Sequence, residues 1–211
     1  MIRVAVLVSG GGTNLQALID AQAAGKFPEA QIALVVSNRK KAYALERAKN
    51  AGIQTAYLPT VRFSSNEEYG NALLDLMLRK KIDLIVLAGF LVVLSHSFVE
   101  AFPNRIINIH PSLIPSFCGD GFYGLKVHEE ALNRGVKVTG ATVHFVDSGT
   151  DTGPIILQKA VSIEPDDTPE SLQLRVMQQA EWKLLPEAVR LFSEGKLNVE
   201  GKICRITAGN E

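Results

Sequence analysis

Short apolar runs alternate with amphipathic segments in the first half of the chain. Apolar runs of about four to eight β-branched and aliphatic residues are typical of strands that are buried on both faces of a parallel sheet. Strands that alternate with helices indicate right-handed crossovers, so the pattern predicts a Rossmann-like, doubly wound, mostly parallel α/β sheet. The predicted strands are Ile2–Val8, Gln31–Ser37, Thr55–Leu58, Asp83–Ala88 and Arg105–His110. The predicted helices are Thr13–Ala24, Ala42–Ala51, Ser64–Lys80 and Ser95–Ala101.

The pattern changes after Pro111, where a loop rich in Pro, Gly, Ser and Phe begins. Later, Thr168 and Pro169 have the residue types that open a helix, and Pro186 should kink or divide that helix. Two strands close in sequence are expected to pair antiparallel, and we expect a single domain over residues 1–211. The elements predicted here are a loop at Pro111–Leu125, helices at Lys126–Asn133 and Thr168–Ser193, strands at Val138–Val146 and Ile155–Ile163, and weak strands at Leu197–Val199 and Ile203–Ile206.

Composition limits the classes of partner. The chain has 22 basic and 22 acidic side chains, so bulk charge does not favour nucleic acid or an anionic membrane as a partner, although a small anion remains possible. No apolar run reaches the roughly 18 residues of a membrane-spanning helix. Its two cysteines, Cys118 and Cys204, form no C-x-x-C pair. We therefore predict a soluble cytoplasmic protein with no nucleic-acid or membrane partner.

Three unusual segments follow predicted strands of the sheet. They are Ser9–Asn14 after the first strand, Ala88–Phe90 after the fourth and Asn108–Ser112 after the fifth. Ligands of open parallel sheets bind beyond the carboxyl ends of the strands. The sequence therefore predicts a ligand site where these three segments meet.

The glycine-rich segment leads from a strand into a helix N-terminus, where backbone N–H groups and the helix dipole suit a phosphate. It is not a P-loop, because the Gly-Lys-Ser/Thr sequence is missing. It is not a full dinucleotide fingerprint either, because Leu15 stands where the third glycine belongs. The alternative is a tight turn that binds no ligand, and the motif alone leaves both possibilities open.

Asn108 and His110 end the fifth predicted strand two residues apart, so both side chains lie on one side of it. Pro111 ends the strand directly afterwards. An amide and an imidazole at this position could stabilise an oxyanion and move a proton. The alternative is a histidine that is merely hydrogen-bonded to the backbone.

Two aspartates, Asp147 and Asp151, lie in the loop that follows His144. Either could act as a base beside His110, although aspartates among turn residues usually form turns. A metal site built from His110, His144 and Asp151 is a weaker alternative, because the spacing of metal ligands along the chain is missing.

The remaining histidines and the loop cysteine give no sign of chemistry. His96 and His128 lie on predicted helices, and we expect them to be surface residues or to have hydrogen-bond partners. Nothing near Cys118 marks it as a nucleophile.

The motifs SGGGTNLQ, LAGF, INIHPSLIPSF, GATVHFV and DTGPIILQ occur in this order from about Val4 to Phe192. In this combination the chain resembles the phosphoribosylglycinamide formyltransferase family. The resemblance implies formyl transfer from 10-formyltetrahydrofolate, as co-substrate, to the amine of 5'-phosphoribosylglycinamide in de novo purine synthesis. It implies small-molecule substrates, no metal, and a monomer or homodimer.

The resemblance also implies roles for individual residues. Asn108, His110 and Asp151, rather than Asp147, match the catalytic residues, and His144 matches a histidine that supports the aspartate's loop. Residues 1–110 would form a phosphate-binding half, and residues 111–211 a half for folate binding and the catalytic loop. Matches to the phosphate and ribose site are Gly11, Gly12, Thr13, Asn14 and Glu181. Matches to the folate site are Phe90, Leu91, Val92, Val93, Leu94, Val143 and Asp147.

The chain departs from the family's pattern at three places. Val92 and Asn66 stand where many members have arginine near the folate, so the preference for the folate's glutamate tail is left open. The stretch Cys118–Tyr123 is longer than in many members, and its role is open as well.

The implied mechanism needs no covalent enzyme intermediate. The amine attacks the formyl carbon, and Asn108 and protonated His110 stabilise the oxyanion. Asp151 would raise the pKa of His110 and accept the amine's proton through water. Sister enzymes, a formyltetrahydrofolate hydrolase or a methionyl-tRNA formyltransferase, usually carry further domains that we do not expect here. A non-catalytic phosphate-binding module predicts that the three side chains do not converge.

Overall fold

The computed structural model describes residues 1–207, and all predicted strands occur within two residues of the expected ends. The strands are β1 (Ile2–Val8), β2 (Ala30–Ser37), β3 (Thr55–Tyr57), β4 (Leu84–Leu87), β5 (Ile106–His110), β6 (Val138–Phe145), β7 (Ile155–Ser162), β8 (Leu197–Glu200) and β9 (Ile203–Ile206). The helices are α1 (Thr13–Ala23), α2 (Tyr43–Asn50), α3 (Asn66–Arg79), α4 (His96–Ala101), α5 (Leu125–Arg134), α6 (Pro169–Val176) and α7 (Trp182–Ser193).

The strands form one sheet in the order β3-β2-β1-β4-β5-β6-β7-β9-β8. The first five in this order are mutually parallel, whereas β6 runs antiparallel to both β5 and β7. The predicted fold class, a mostly parallel doubly wound sheet with an antiparallel C-terminal part, is confirmed. The register places Asn108 of β5 between Leu87 of β4 and His144 of β6.

Helices cover both faces of the sheet, which explains the uninterrupted apolar runs of the central strands. Val4, Val6 and Val8 of β1 belong to the core on the side of α1, α2, α6 and α7. The alternate residues Ala5 and Leu7 belong to a second core with α3 and α4. Every one of these five side chains is fully buried. Because successive side chains of a strand point to opposite faces of the sheet, β1 contributes to both cores.

The long helix predicted over residues 168–193 is interrupted, and our prediction placed the interruption wrongly. A π-helical turn at Met177–Glu181 separates α6 from α7, whereas Pro186 lies inside α7. The helical acceptor for residue 186 would be the carbonyl of Trp182, four residues earlier, and Trp182 is the first residue of α7. The hydrogen bond that Pro186 cannot make would therefore lie in the first turn of α7, next to the π-helical turn, where the regular α-helical hydrogen bonds are already interrupted.

Two helix starts agree with the sequence pattern. The Ser65 side chain caps α3 by accepting a hydrogen bond from the Glu68 backbone N–H, at 3.1 Å. Thr168 caps α6 with Pro169 as the first helical residue. No helix within the described residues is both long and apolar enough to cross a membrane.

Candidate active site

The end of β5 brings three polar side chains together. Asn108 lies opposite His144 of β6, and its amide nitrogen Nδ2 is 3.2 Å from the Nε2 of His144. The Nδ1 of His144 donates to the Phe145 carbonyl oxygen, at 2.8 Å, which turns the Nε2 of the ring toward Asn108. The His110 side chain follows two residues later and is 5% exposed. Pairing with the antiparallel strand β6 therefore gives Asn108 a polar neighbour, His144, whereas its neighbour on the parallel strand β4 is Leu87.

Asp151 joins this group from the loop between β6 and β7. One carboxylate oxygen, Oδ2, is 3.5 Å from the Nδ1 of His110. The other, Oδ1, is 3.5 Å from both the Nε2 of His144 and the Nδ2 of Asn108. Asp151 itself has a left-handed backbone with φ of 56°. This conformation is unfavourable for residues other than glycine, and such residues cluster at functional sites. The convergence that a non-catalytic module would lack is therefore present.

The loop after β5 adds two backbone groups that sequence reasoning missed. The Phe117 carbonyl oxygen accepts a hydrogen bond from the Nε2 of His110, at 2.9 Å. The Gly119 N–H donates to Oδ2 of Asp151, at 3.0 Å. Because every residue has such groups, no side-chain signal could have identified these two in the sequence.

The protonation of His110 differs from our expectation. Burial lowers the pKa of His110, and it outweighs the Asp151 carboxylate and the Phe117 carbonyl, which both favour the imidazolium. Asp151 therefore acts in the expected direction, but the pKa of the buried ring lies below its ordinary value.

Asp151 itself is held as a carboxylate. Burial alone would raise its pKa, but hydrogen bonding from His144, the charge of His110 and the Gly119 N–H together lower the pKa below its ordinary value. An ionised, mostly buried carboxylate beside two imidazoles can accept a proton or stabilise a cation.

Asp147 is engaged differently from Asp151. Its Oδ1 accepts hydrogen bonds from the Gly149 N–H at 3.0 Å and from the Thr152 hydroxyl at 2.6 Å, both within the same loop. This is the turn-forming arrangement that the sequence suggested for loop aspartates. The geometry therefore favours Asp151 as the chemically active aspartate.

The glycine-rich segment forms the start of α1 and lies against α2. Gly12 precedes the helix with φ of 74°, and a Cβ there would lie 2.6 Å from the Cβ of Ala44. The Ala44 N–H donates to the Gly10 carbonyl, and the Arg47 side chain donates to the Gly11 carbonyl. The turn therefore requires glycine at position 12, and the first N–H groups of α1 are left without helical acceptors.

Asn14 links this segment to the π-helical turn. Its Nδ2 donates to Oε2 of Glu181 at 2.6 Å, and both residues are buried. The other carboxylate oxygen of Glu181 and the Oδ1 of Asn14 have no hydrogen-bond partner. Burial raises the pKa of Glu181 to about 7, although the Asn14 bond opposes this. Two unpartnered polar atoms beside a helix N-terminus are suited to bind hydroxyl groups of a ligand.

Comparison with known proteins identifies the family of the chain. A model of the formyl transferase family, described as Formyl transferase, matches residues 2–189, which is most of the chain. The chain belongs to the formyl transferase family. A curated relative from Haemophilus influenzae, phosphoribosylglycinamide formyltransferase, is 41% identical over 203 residues, covering 96% of this chain and 92% of the relative.

Solved structures of a transformylase and of a deformylase share the fold. A glycinamide ribonucleotide transformylase from Symbiobacterium toebii superimposes with a TM-score of 0.93 at 45% identity, covering 99% of this chain and 95% of that one. A formyltetrahydrofolate deformylase from Pseudomonas syringae pv. tomato superimposes with a TM-score of 0.86 at 26% identity, covering 98% of this chain and 66% of that one. The hydrolase alternative is thus less supported than the transferase.

The segment that the family resemblance assigns to folate follows β4 in this formyl transferase. Phe90, Val92 and Leu94 pack against the second core, whereas Leu91 and Val93 are exposed. The Leu91 N–H donates to the Ser9 hydroxyl, which ties the segment to the end of β1. A folate role for this segment stays a prediction.

The expectation for His128 was wrong. Its side chain on α5 is fully buried, neither ring nitrogen has a hydrogen-bond partner, and burial together with the charge of His110 lowers its pKa to about 4. The helical spacing was a usable signal, because His128 is three residues before the buried Ala131 and adjacent to the buried Val127. His96 is exposed and pairs with Glu100, as expected for a surface residue.

The Cys118 thiol donates to the Pro115 carbonyl, and burial and the Asp151 charge raise the pKa of the thiol, so it is not activated as a nucleophile. Within residues 1–207 there is no group of three or more His, Cys, Asp or Glu side chains placed to hold a metal ion.

The raised pKa of Glu181 predicts a loss of stability as pH rises. The folded protein holds a proton on Glu181 between about 4.5 and about 7, where the unfolded chain does not. Stability therefore falls through this window by on the order of 3 kcal/mol and stays lowered above it. Glu181→Gln keeps an acceptor for Asn14 and should remove this loss. Urea unfolding of both proteins at about pH 5 and about pH 8 checks this, and an equal difference between them at both pH values would contradict it.

Proposed function

We propose that this enzyme transfers the formyl group of 10-formyltetrahydrofolate to the amine of 5'-phosphoribosylglycinamide, a step of purine synthesis. The observation that carries this proposal is the convergence of Asn108, His110 and Asp151 at the carboxyl edge of the sheet. Family membership over most of the chain, with relatives named for this activity, supports the same reaction. Ligands of open sheets bind at this edge.

Asn108 and His110 are the groups that we propose to stabilise the transition state. When the neutral amine attacks the formyl carbon, the carbonyl oxygen becomes an oxyanion. The Asn108 amide and a protonated His110 donate hydrogen bonds to it. Because burial lowers the pKa of free His110, a bound anionic substrate or the developing oxyanion would favour the protonated ring at the moment it is needed.

Asp151 is proposed as the group that receives the proton. The attacking amine becomes an ammonium when the carbon–nitrogen bond forms, and it loses a proton to Asp151 through water. The same proton, passed on from Asp151 through water, protonates the folate nitrogen as its bond to the formyl carbon breaks, so the overall reaction neither takes up nor releases a proton. The lowered pKa of Asp151 keeps it ionised and ready to accept. His144 would hold this carboxylate in place through Oδ1.

The substrate's phosphate is proposed to bind at the start of α1. Gly11, Gly12, Thr13 and Asn14 present backbone N–H groups there, where the helix dipole favours an anion. The buried Glu181 would accept a hydrogen bond from a ribose hydroxyl through its unpartnered oxygen. Backbone donors rather than lysines suit a small phosphate in a chain with zero formal net charge.

We propose that the folate lies against the segment after β4 and the loop after β6. The residues involved would be Phe90, Leu91, Val92, Val93, Leu94, Val143 and Asp147. In this proposal residues 1–110 hold the phosphate and residues 111–211 contribute the catalytic loop, within one domain and with small molecules as partners. A reducing compartment such as the cytoplasm fits the two free thiols, and either a monomer or a homodimer fits the proposal.

The proposal is tested by an assay with purified protein and both substrates. We expect tetrahydrofolate release that depends on 5'-phosphoribosylglycinamide. The same compound without its phosphate should react with a much lower kcat/KM, because the α1 contacts are lost. Tetrahydrofolate release that does not depend on the glycinamide substrate would favour a hydrolase. No release at all from folded protein that binds both compounds would contradict the proposal.

A further inference from the structure

A side-chain hydrogen bond joins the loop that carries Asp151 to the loop that follows β5. The Thr150 hydroxyl, in the loop between β6 and β7, donates to Oδ1 of Asp120, in the loop between β5 and α5, at 2.9 Å. Both side chains are exposed, and neither is a hydrogen-bond partner of Asn108 or His110. Because the stretch Cys118–Tyr123 contains Asp120, this bond also gives that stretch a place in the site.

The bond lies directly beside the contact that orients the carboxylate. Asp120 follows Gly119, whose N–H donates to Oδ2 of Asp151, and Thr150 immediately precedes Asp151. The two hydrogen bonds therefore join the same two loops at neighbouring residues. The first loop also supplies the Phe117 carbonyl that binds His110. A shift of this loop would therefore release His110 and Asp151 together.

Backbone geometry shows why these loops need such a restraint. Asp151 and Phe117 have left-handed backbones, with φ of 56° and 48°, although neither is glycine. Residues in this region persist only when the surrounding contacts hold them there. The bond between Asp120 and Thr150 is one contact placed to do so at both loops.

We propose that Asp120 and Thr150 are positioning residues that hold the loop after β5 against Asp151 and so set the fraction of molecules whose His110 and Asp151 are arranged for reaction. This inference rests on the proposed formyl transfer. It assigns a role to side chains that do not contact the reacting atoms, and it treats the bond between them as one functional unit.

A double-mutant cycle in kcat tests the proposal. One exposed hydrogen bond is worth about 3- to 10-fold, so Asp120→Ala and Thr150→Val should each lower kcat by about that factor. The double variant should be no worse than either single variant, because each already breaks the same bond. KM for 5'-phosphoribosylglycinamide should stay nearly unchanged, because neither residue belongs to the proposed phosphate site at α1.

Conservative variants separate positioning from a general loss of structure. Asp120→Asn keeps an acceptor oxygen and Thr150→Ser keeps the hydroxyl donor, so both should retain most of the activity. Asp166→Ala removes an acid from another exposed turn and serves as the matched control, with kcat unchanged. Additive effects in the double variant, or full activity of both Asp120→Ala and Thr150→Val, would overturn the proposal.

Hydrogen exchange gives a readout that does not depend on activity. The Gly119 amide should exchange faster in Asp120→Ala and Thr150→Val than in the native protein, because its acceptor Asp151 is less firmly held. Unchanged exchange of this amide in both variants would also overturn the proposal. If the native protein transfers no formyl group, the proposed function fails, whereas an active native protein with unaffected variants contradicts the positioning role alone.

Discussion

Asp151→Asn is expected to lower kcat by about 10²- to 10⁴-fold, the range measured for loss of a general acid or base. The substitution removes the negative charge that faces Nδ1 of His110 while it keeps the shape of the side chain. Both the acceptor for the amine's proton and the charge that favours protonated His110 are then lost. KM should change much less than kcat, because Asp151 is proposed to act on the reacting atoms rather than on the phosphate.

Asp147→Asn is the matched control for this prediction. It is the same substitution four residues earlier in the same loop, and the Asp147 oxygen accepts only local hydrogen bonds from Gly149 and Thr152. An amide oxygen can still accept one of them, so we expect a change in kcat of a few-fold at most. Steady-state kinetics on both variants, with thermal unfolding to confirm folding, checks the ranking. The opposite ranking would show that Asp147 is the catalytic aspartate.

Asn108→Ala is expected to have the second-largest effect, a loss of about 10²- to 10³-fold in kcat, as for removal of one oxyanion donor. The amide nitrogen of Asn108 lies among His144 and Asp151, at the place where the developing oxyanion would need a donor. Its removal also breaks the contact with the Nε2 of His144, so some loss of stability should accompany the loss of activity.

Asn133→Ala is the control for this variant, because it removes an amide from an exposed position of α5. The measurement is kcat for both variants at saturating substrate, with a urea melt of each. An Asn108→Ala enzyme that retains at least about a third of native kcat would contradict the oxyanion role.

The sequence pattern predicted the fold well because the physical signal was strong. The central strands are buried on both faces, so β1 from Val4 to Val8 and all of β4 appear as uninterrupted apolar runs with glycine shortly after them. The π-helical turn at Met177–Glu181 was not predictable in the same way. Apolar periodicity continues through it, and the turn coincides with the contact of the buried Glu181 with Asn14, which joins distant parts of the chain.

The candidate site could be predicted in part. Period-two alternation placed Asn108 and His110 on one side of a strand, and Pro111 fixed where that strand ends. The choice of Asp151 over Asp147 came from family resemblance, because both are loop aspartates with the same local chemistry. The Phe117 and Gly119 backbone groups could not be predicted, because only the folded loop brings them to His110 and Asp151.

The fate of the formyl carbon tests the central claim most directly. The folded protein would be incubated with 10-formyltetrahydrofolate labelled at the formyl carbon and with 5'-phosphoribosylglycinamide, and the labelled products would be followed by NMR. Direct transfer at the site of Asn108, His110 and Asp151 predicts that the label appears in the formamide carbon of the glycinamide product, with one tetrahydrofolate released per label. Label that appears in free formate, at a rate that does not depend on the glycinamide substrate, would contradict the account.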